Sequence, residues 1–368
     1  MIAPERRDGY VYSIFDDTCR PPIEDLIALT DAAWGADYKQ SNRAMFRYDS
    51  HYLNWLMPDG HFFGVWVATE DGRPVGCLMH VERDLFCKGK WYRAFYGTLL
   101  SVLPDHRGRG LAERLMHRSF DWIFKERRAD LEVGVFDIDQ AGRPAITKAV
   151  QRYDPAYTIL ETRPMPIWAC TADILEATRY EPLEGISRVA MWPGFRDLFA
   201  FRPSADEKGR ALVPAPLADA RDLEQRFTLG FGAGTSVAQM YPPATSDDSS
   251  GTVGFEFGSS QRCLISYHVL TLVKPGLPDG RLGMLQFVDP QGTSPANLVR
   301  ALRTLSAALI ARGCFTVIYL NAGTLPTHVL LRAMFLPTPR TLCFEFTGRR
   351  EAVEPFRDLR PPFFVDMY

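Results

Sequence analysis

A basic turn that contains two glycines is the part of this sequence best suited to bind an anion. Residues 104–110 read Pro-Asp-His-Arg-Gly-Arg-Gly, and they join a predicted strand to a predicted amphipathic helix. Glycine lets the backbone approach a ligand closely, and the first turn of a helix presents unpaired N–H groups at its positive dipole end. Arg107 and Arg109 add charged donors. We therefore predict that this turn binds a ligand that carries phosphate.

The spacing Arg-x-x-Gly-x-Ala at Arg107, Gly110 and Ala112 resembles a known motif. GCN5-related N-acetyltransferases (the GNAT superfamily) bind pyrophosphate with Gln/Arg-x-x-Gly-x-Gly/Ala. The resemblance implies that acyl-CoA, with an acetyl or a longer acyl group, lies against the turn. A solvated basic turn that caps a helix explains the arginines but not the spacing of glycine and alanine. The resemblance and the turn together predict these CoA-binding residues: Leu100, Val102, Arg107, Gly108, Arg109, Gly110, Leu111 and Ala112. Leu100 and Val102 would offer backbone groups to the pantetheine arm.

The elements around the turn follow the GNAT core order. Strands alternate apolar and polar residues, and helices repeat apolar residues with a period near 3.6. These patterns predict strands over 10–15, 62–69, 74–86, 91–103, 131–136 and 157–161, and helices over 23–34, 41–57, 109–125 and 143–152.

The second half of the chain repeats this order without the motif. Strands are predicted over 252–257, 262–273, 281–288, 315–320 and 341–347, and helices over 217–229, 297–312 and 326–335. At the equivalent strand-to-helix turn, residues 289–295 read Asp-Pro-Gln-Gly-Thr-Ser-Pro. An aspartate there would repel phosphate. We expect a degenerate GNAT-like domain that gives structural support and shapes the acceptor site.

The predicted fold class is α/β (α+β), with two GNAT-like domains. Each domain is expected to be a mixed, mainly antiparallel sheet flanked by helices. A length of 368 residues exceeds the usual size of one core. We place the CoA-binding domain at residues 1–165, an apolar linker packed between the domains at 166–210, and the degenerate domain at 211–368.

Composition excludes several classes of protein. A net charge of −2 gives no basic face for nucleic acid. The first residues are charged and the sequence has no long apolar run, so we expect no signal peptide and no transmembrane segment. A peripheral membrane contact is compatible with the sequence. The seven cysteines are scattered, which is typical of reduced thiols in a cytoplasmic protein. The histidines show no metal spacing, so we predict no metal.

Three residues are candidates for acid–base catalysis, which the transfer of an acyl group to an amine requires. Alternation along the strand predicted at 74–86 puts His80 and Glu82 on one face. Either can accept an amine proton directly or through water, but a solvent-facing strand explains the same pattern. In the family, a tyrosine that acts as the general acid often stands where this sequence has Ala149. Tyr153, one turn later, can replace it or can be a packed tyrosine.

The function predicted from the sequence is direct transfer of an acyl group from CoA to an amine. Asp137 and Asp139 can orient a cationic acceptor, or they can be solvated loop residues. One alternative is a long-chain enzyme that acts on a lipid-like amine, similar to a ceramide synthase or an N-acyl amino acid synthase. Another is an acyl-CoA-binding protein without catalysis. The sequence names neither the amine, which is a small molecule or a lipid, nor the oligomeric state.

Overall fold

The computed structural model describes residues 4–41, 44–57, 60–137, 142–177, 188–192, 229–231, 249–257, 261–290, 292–359 and 363–364. They form a mixed α/β fold in two compact units. Unit 1 comprises Met1–Pro164, Val273–Pro278 and Leu342–Arg360, and unit 2 comprises Met165–Leu272, Asp279–Thr341 and Pro361–Tyr368.

Unit 1 is a mixed sheet with helices packed on it. Its strands are β1 (Glu5–Arg7), β2 (Tyr10–Phe15), β3 (Met45–Arg47), β4 (Phe62–Thr69), β5 (Pro74–Cys87), β6 (Lys90–Val102), β7 (Leu131–Asp137) and β8 (Tyr157–Glu161). Its helices are α1 (Ile23–Ser41), α2 (Ser50–Leu56), α3 (Leu111–Phe120) and α4 (Arg143–Tyr153). Strands β2, β4, β5 and β6 pair antiparallel in that order, and β6 pairs parallel with β7.

The helix after the basic turn forms because its apolar residues fall on one stripe. Leu111, Leu115, Met116 and Phe120 of α3 are buried in the unit 1 core, as the period of 3.6 residues predicts. The helix then continues as a π-helical turn over Asp121–Glu126. Segments of this kind are rare and occur often near functional sites.

The last long strand of the chain completes the sheet of unit 1. β16 (Leu336–Arg349) pairs antiparallel with β7 on one side and with β8 on the other. Residues 342–360 therefore belong to unit 1, although the sequence suggested a second domain that runs unbroken over 211–368. The chain leaves unit 1 after Pro164, close to the predicted boundary at residue 165.

Unit 2 contains the remaining elements. Its strands are β9 (Met165–Thr171), β10 (Arg188–Trp192), β11 (Leu229–Phe231), β12 (Ser250–Phe257), β13 (Gln261–Val273), β14 (Gly280–Asp289), β15 (Cys314–Leu320), the first residues of β16, and β17 (Phe363–Phe364). Its helices are α5 (Ala172–Ala177), α6 (Pro295–Ala311) and α7 (Thr327–Arg332), while the short α8 (Arg350–Val353) lies in unit 1. β12, β13 and β14 pair antiparallel, and β14 pairs parallel with β15.

Some local predictions differ from the structure. The helix predicted over 41–57 is a short strand, β3, followed by α2, whose N-cap Asp49 accepts a hydrogen bond from the Tyr52 amide. The supposed linker begins with β9, which pairs antiparallel with β15. Most of 178–228, including most of the helix predicted over 217–229, lies outside the described residues. No helix within the described ranges combines the length and apolar character that crossing a membrane requires.

Candidate functional site

Two central strands of unit 1 separate toward their C-terminal ends. The parallel pairing of β6 with β7 ends at Gly97 and Gly134, although β6 continues to Val102 and β7 to Asp137. We call the gap between residues 98–102 and residues 135–137 the fork. An extended ligand with amide groups can pair with such backbone edges as an added strand does.

A bulge in β6 accounts for the fork. The register with β5 shifts between Cys77 and Met79, so that two residues of β6, Leu99 and Leu100, lie opposite Leu78 alone. Leu99 has φ 57°, a left-handed conformation that is uncommon for a bulky side chain. Because a bulge bends its strand and increases the local twist, it turns β6 away from β7.

Side chains satisfy the carbonyl groups that the bulge leaves outside the sheet. The Leu99 oxygen accepts from the Cys77 thiol at 3.3 Å, and the Leu100 oxygen accepts from the Trp34 indole at 3.1 Å. The Val102 oxygen accepts from Nε of Arg107 at 3.0 Å. A carbonyl oxygen has two lone pairs, so contact between Leu100 or Val102 and a pantetheine arm stays a prediction.

The Cys77 thiol, which contacts the bulge of β6, is unsuited to nucleophilic catalysis. Burial raises the pKa of the Cys77 thiol to about 12. Because the thiolate is the nucleophilic form, Cys77 is inert at neutral pH. Direct transfer without an acyl-enzyme is consistent with this side chain.

The basic turn leaves the start of α3 open. Gly108 has φ 74° and Gly110, the N-cap residue of α3, has φ 75°. A Cβ built on either glycine meets no atom within 4 Å, so the backbone here is accessible to a ligand. No side chain caps α3, and the amides of its first residues, Leu111 and Ala112, have no acceptor within the helix. The turn therefore presents free backbone donors at a positive dipole end.

The two arginines of the turn have partners within the protein. Arg107 donates to the Val102 oxygen and, at 2.7 Å, to the Ala33 oxygen, and it pairs with Asp37 of α1. Its guanidinium thus fastens the end of β6 to α1. Arg109 donates to the Tyr10 hydroxyl at 3.0 Å and to the Asp105 oxygen at 3.2 Å. In this structure the arginines shape the turn, and the backbone amides provide the donors.

Replacing Arg107 tests this structural role. Arg107→Ala should lower the free energy of unfolding by about 1–3 kcal/mol, because two carbonyl oxygens lose a charged donor, and should also weaken CoA binding. Arg107→Lys keeps the charge but cannot reproduce three bonds from one planar group, so we expect it to restore neither property. Thermal unfolding and calorimetric titration with CoA measure the two effects. Full recovery of CoA affinity by lysine would instead indicate direct attraction of phosphate.

Glu82, a candidate base, is held by two arginines. Its Oε1 accepts from Nε of Arg93 at 2.8 Å, and its Oε2 accepts from Nη2 of Arg127 at 2.9 Å. Burial acts to raise the pKa of Glu82, but the bonds from Arg93 and Arg127 outweigh it and lower the pKa. A carboxylate stabilised in this way binds a proton weakly, so the contacts favour a structural role.

The variant Glu82→Gln distinguishes a structural role of this residue from a catalytic one. If Glu82 is structural, the variant should lose about 1–2 kcal/mol of stability at pH 7 while its turnover changes little. Because the folded pKa is lowered, this loss should diminish as the pH falls below the ordinary pKa of a glutamate. If turnover falls at least tenfold while thermal stability is unchanged, Glu82 takes part in catalysis.

His80 and Tyr153, the other catalytic candidates, have different surroundings. His80 is fully buried, and its Nε2 lies 2.9 Å from Oε1 of Glu132. The Tyr153 hydroxyl donates to Asp121 at 3.0 Å. Asp121 follows Gly110 by eleven residues, about 16 Å along a helix, so Tyr153 is distant from the turn. Burial, followed by the Asp121 charge, raises its pKa well above the ordinary value, which makes it a weak acid.

Sequence reasoning missed two buried carboxyl groups of this unit, Glu132 on β7 and Glu345 on β16. Both glutamates interrupt apolar runs, and that signal was available in the sequence. Of the two aspartates suggested for the acceptor, Asp137 is buried and Asp139 lies outside the described residues. Among the side chains that the structure describes, no group of three or more histidines, cysteines and acidic residues is arranged to hold a metal ion.

Comparisons with known proteins give a family match and similar folds. Residues 26–145 match the Acetyltransferase (GNAT) family. Saccharomyces cerevisiae N-myristoyltransferase with bound myristoyl-CoA is similar in fold, with 14% identity, a TM-score of 0.62, and coverage of 98% of this chain and 86% of that chain. A second structure of the yeast enzyme, with myristoyl-CoA and inhibitors, has 13% identity, a TM-score of 0.64 and coverage of 98% and 83%. No curated protein matches the sequence.

Unit 1 is therefore built on a GNAT domain, and the match covers the fork and the basic turn. The resemblance seen in Arg107, Gly110 and Ala112 is confirmed at the level of the family. The chain is an acyltransferase by this family assignment, and its mixed α/β fold is confirmed. At 13–14% identity, the likeness to N-myristoyltransferase concerns the fold alone.

Proposed function

We propose that the chain is an acyl-CoA-dependent N-acyltransferase that transfers an acyl group directly to an amine. The open start of α3 beside the fork supports this proposal most strongly. Gly108 and Gly110 expose backbone donors there, and the nearby acidic Glu113 is neutralised by Arg152 at 3.0 Å. These features suit the pyrophosphate of CoA.

The fork suits the rest of the CoA molecule. A pantetheine arm is extended and carries two amide groups, which can bond to the open edges of residues 98–102 and 135–137. An acyl thioester at its end would then lie between β6 and β7. The residues that would hold CoA are those predicted from the sequence, with Arg107 and Arg109 acting through the shape of the turn.

Unit 2 is, in this proposal, a second GNAT-like domain without a phosphate turn. Its helix α6 begins with Pro295 and is capped by Ser294, whose hydroxyl accepts from the Asn297 amide at 3.4 Å. Gln261 accepts from the Ser294 amide at 2.9 Å. Because these donors are satisfied within the protein, the helix start offers little to an anion.

A long-chain acyl donor is the second candidate, together with a lipid-like amine as acceptor. The observation that favours it is the similarity in fold to an enzyme whose structure holds myristoyl-CoA. Each buried methylene of an acyl chain stabilises a complex by about 0.8 kcal/mol. A long-chain enzyme should therefore bind palmitoyl-CoA much more tightly than acetyl-CoA.

Calorimetric titration with CoA, acetyl-CoA and palmitoyl-CoA tests the donor. A preference for palmitoyl-CoA directs the search toward lipid amines, and equal or tighter binding of acetyl-CoA directs it toward small amines. Absence of binding by all three would overturn the proposal.

Turnover distinguishes an enzyme from an acyl-CoA-binding protein. With the preferred donor, release of free thiol can be followed across a panel of small amines, amino acids and lipid amines. Amine-dependent thiol release supports the proposed transferase. Tight binding without release for any amine would favour the non-catalytic alternative.

A further inference from the structure

Polar side chains form a row across the sheet of unit 1 where β6 and β7 begin to separate. His80 on β5 pairs in register with Gly97 on β6, Gly97 with Gly134 on β7, and Gly134 with Glu345 on β16. Residues in register share a face of the sheet, and Glu132, two residues before Gly134, lies on the same face. The fork opens immediately beyond this row.

His80 and Glu132 reach each other across the intervening strand. A Cβ on Gly97 would lie 2.6 Å from Oε1 of Glu132 and 3.2 Å from Nε2 of His80. Gly97 therefore leaves the space that their hydrogen bond occupies. This places a buried histidine–carboxylate pair directly over the last paired residue of β6.

The hydrogen bond to Glu132 sets the tautomer of His80. An ionised carboxylate only accepts, so Nε2 must carry the proton and the ring lone pair must lie on Nδ1. Nδ1 is buried and has no hydrogen-bond partner among the residues that the structure describes. A basic nitrogen held in this way is suited to accept a proton, and the carboxylate stabilises the imidazolium that forms.

Glu345 adds a second carboxyl group to the same face. It is 2% exposed, and its Oε2 accepts no hydrogen bond from the described residues. The nearest cation is Arg143 of α4, whose Nε lies 3.9 Å away and which also pairs with Glu161. Glu132 lies diagonally across from Glu345, within reach of long side chains.

We propose that His80 accepts the proton that amine acylation releases, that Glu132 orients its ring, and that Glu345 sets the charge of the pair. Glu132 and Glu345 are positioning residues, because they act through the imidazole. This inference rests on the proposed transferase function.

The proton balance of the reaction fits one acceptor. An ammonium substrate and an acyl thioester give an amide, a thiol and one proton. The amine nitrogen forms the C–N bond, the C–S bond breaks, and the sulfur leaves with the bonding electrons and takes one proton. The other proton passes to Nδ1 of His80, directly or through water, and then to solvent.

Glu345 links this step to pH. Burial, followed by the negative charges of Glu132 and Glu161, raises the pKa of Glu345 to about 8, against the opposing effect of Arg143. Above that pH an ionised Glu345 adds negative charge near His80 and favours the imidazolium. Three strand spacings separate the Cα atoms of His80 and Glu345, about 14 Å, and at that distance inside a protein one charge changes such an equilibrium severalfold.

Three glutamine variants test the proposal, with kcat measured from pH 6 to 9.5. His80→Gln keeps a donor toward Glu132 but removes the basic nitrogen, so kcat should fall by roughly 10²–10⁴-fold while the Kd for acyl-CoA stays within twofold. Glu345→Gln should abolish the rise in kcat through pH 8. Glu161→Gln, on the neighbouring strand with a 45% exposed side chain, should retain that rise but move it to lower pH, because the Glu161 charge helps to raise the pKa of Glu345.

A tautomer measurement on the unaltered protein keeps the proposal testable if a variant fails to fold. The ¹⁵N chemical shifts of the labelled protein should show that Nε2 of His80 carries a proton and that Nδ1 does not. A parental kcat and pH profile in His80→Gln, or a proton on Nδ1, would overturn the assignment of His80 alone. Absence of turnover in the parent protein with every amine would overturn the transferase proposal and this inference with it.

Discussion

Gly110→Asp should weaken CoA binding by about 100-fold or more, while thermal stability stays near that of the parent protein. Gly110 is the N-cap of α3 with φ 75°, and a Cβ there enters open space, so the core is undisturbed. Aspartate tolerates left-handed backbone better than most residues, and it places a negative charge where the helix dipole would bind phosphate. Loss of two charge-assisted bonds, each about 1.5–3 kcal/mol, gives an effect of this size.

Two controls separate charge from bulk in this experiment. Gly110→Asn has nearly the same shape without the charge, and it should retain more affinity than Gly110→Asp. Acetylpantetheine lacks the pyrophosphate, so both variants should bind it as the parent protein does. If Gly110→Asp binds CoA with unchanged affinity by calorimetry, phosphate does not contact the start of α3.

Local patterns predicted most elements of unit 1, because those elements depend on residues close together in sequence. The strand Tyr10–Phe15 and the strand Tyr157–Glu161 appear at the predicted bounds. The insertion of β16 between β7 and β8 was not predictable in this way. Whether β7 pairs with β8 or with β16, whose paired residues lie more than 200 positions later, depends on which apolar faces complement each other in space.

The same distinction applies to the site. The glycine positions of the basic turn follow from local backbone requirements, and sequence spacing located them. Two partners of Arg107, Ala33 and Asp37, are residues of α1 that lie 70 or more positions away, so its structural role could not be read from the motif. Alternation along β5 made His80 a candidate, but its partner Glu132 is 52 residues distant and was not predicted.

Glu345→Gln should stabilise the protein at high pH, by an amount that grows as the pH rises from about 5 to about 9. The ordinary glutamate pKa is 4.5, and burial raises the pKa of Glu345 to about 8 in the folded chain. Between these values the unfolded chain has released the proton and the folded chain retains it, so the parent protein loses stability as the pH rises. The loss is complete above the folded pKa and is on the order of 5 kcal/mol. Glutamine does not ionise and avoids it.

Urea unfolding of parent and variant at pH 5, 7 and 9 measures this difference. The prediction concerns how the stability difference changes with pH. An imperfectly bonded amide in the variant adds a constant offset, which affects the differences at all three pH values equally. Glu161 lies directly across from Glu345 on β8 and its charge helps to raise the pKa of Glu345, so Glu161→Gln should show the same trend with a smaller amplitude. A Glu345→Gln difference that does not grow with pH would mean that the carboxylate is ionised within the folded sheet at neutral pH. The same result would deprive His80 of a neighbour whose charge changes near pH 8, and the catalytic rise through that pH would then need another source.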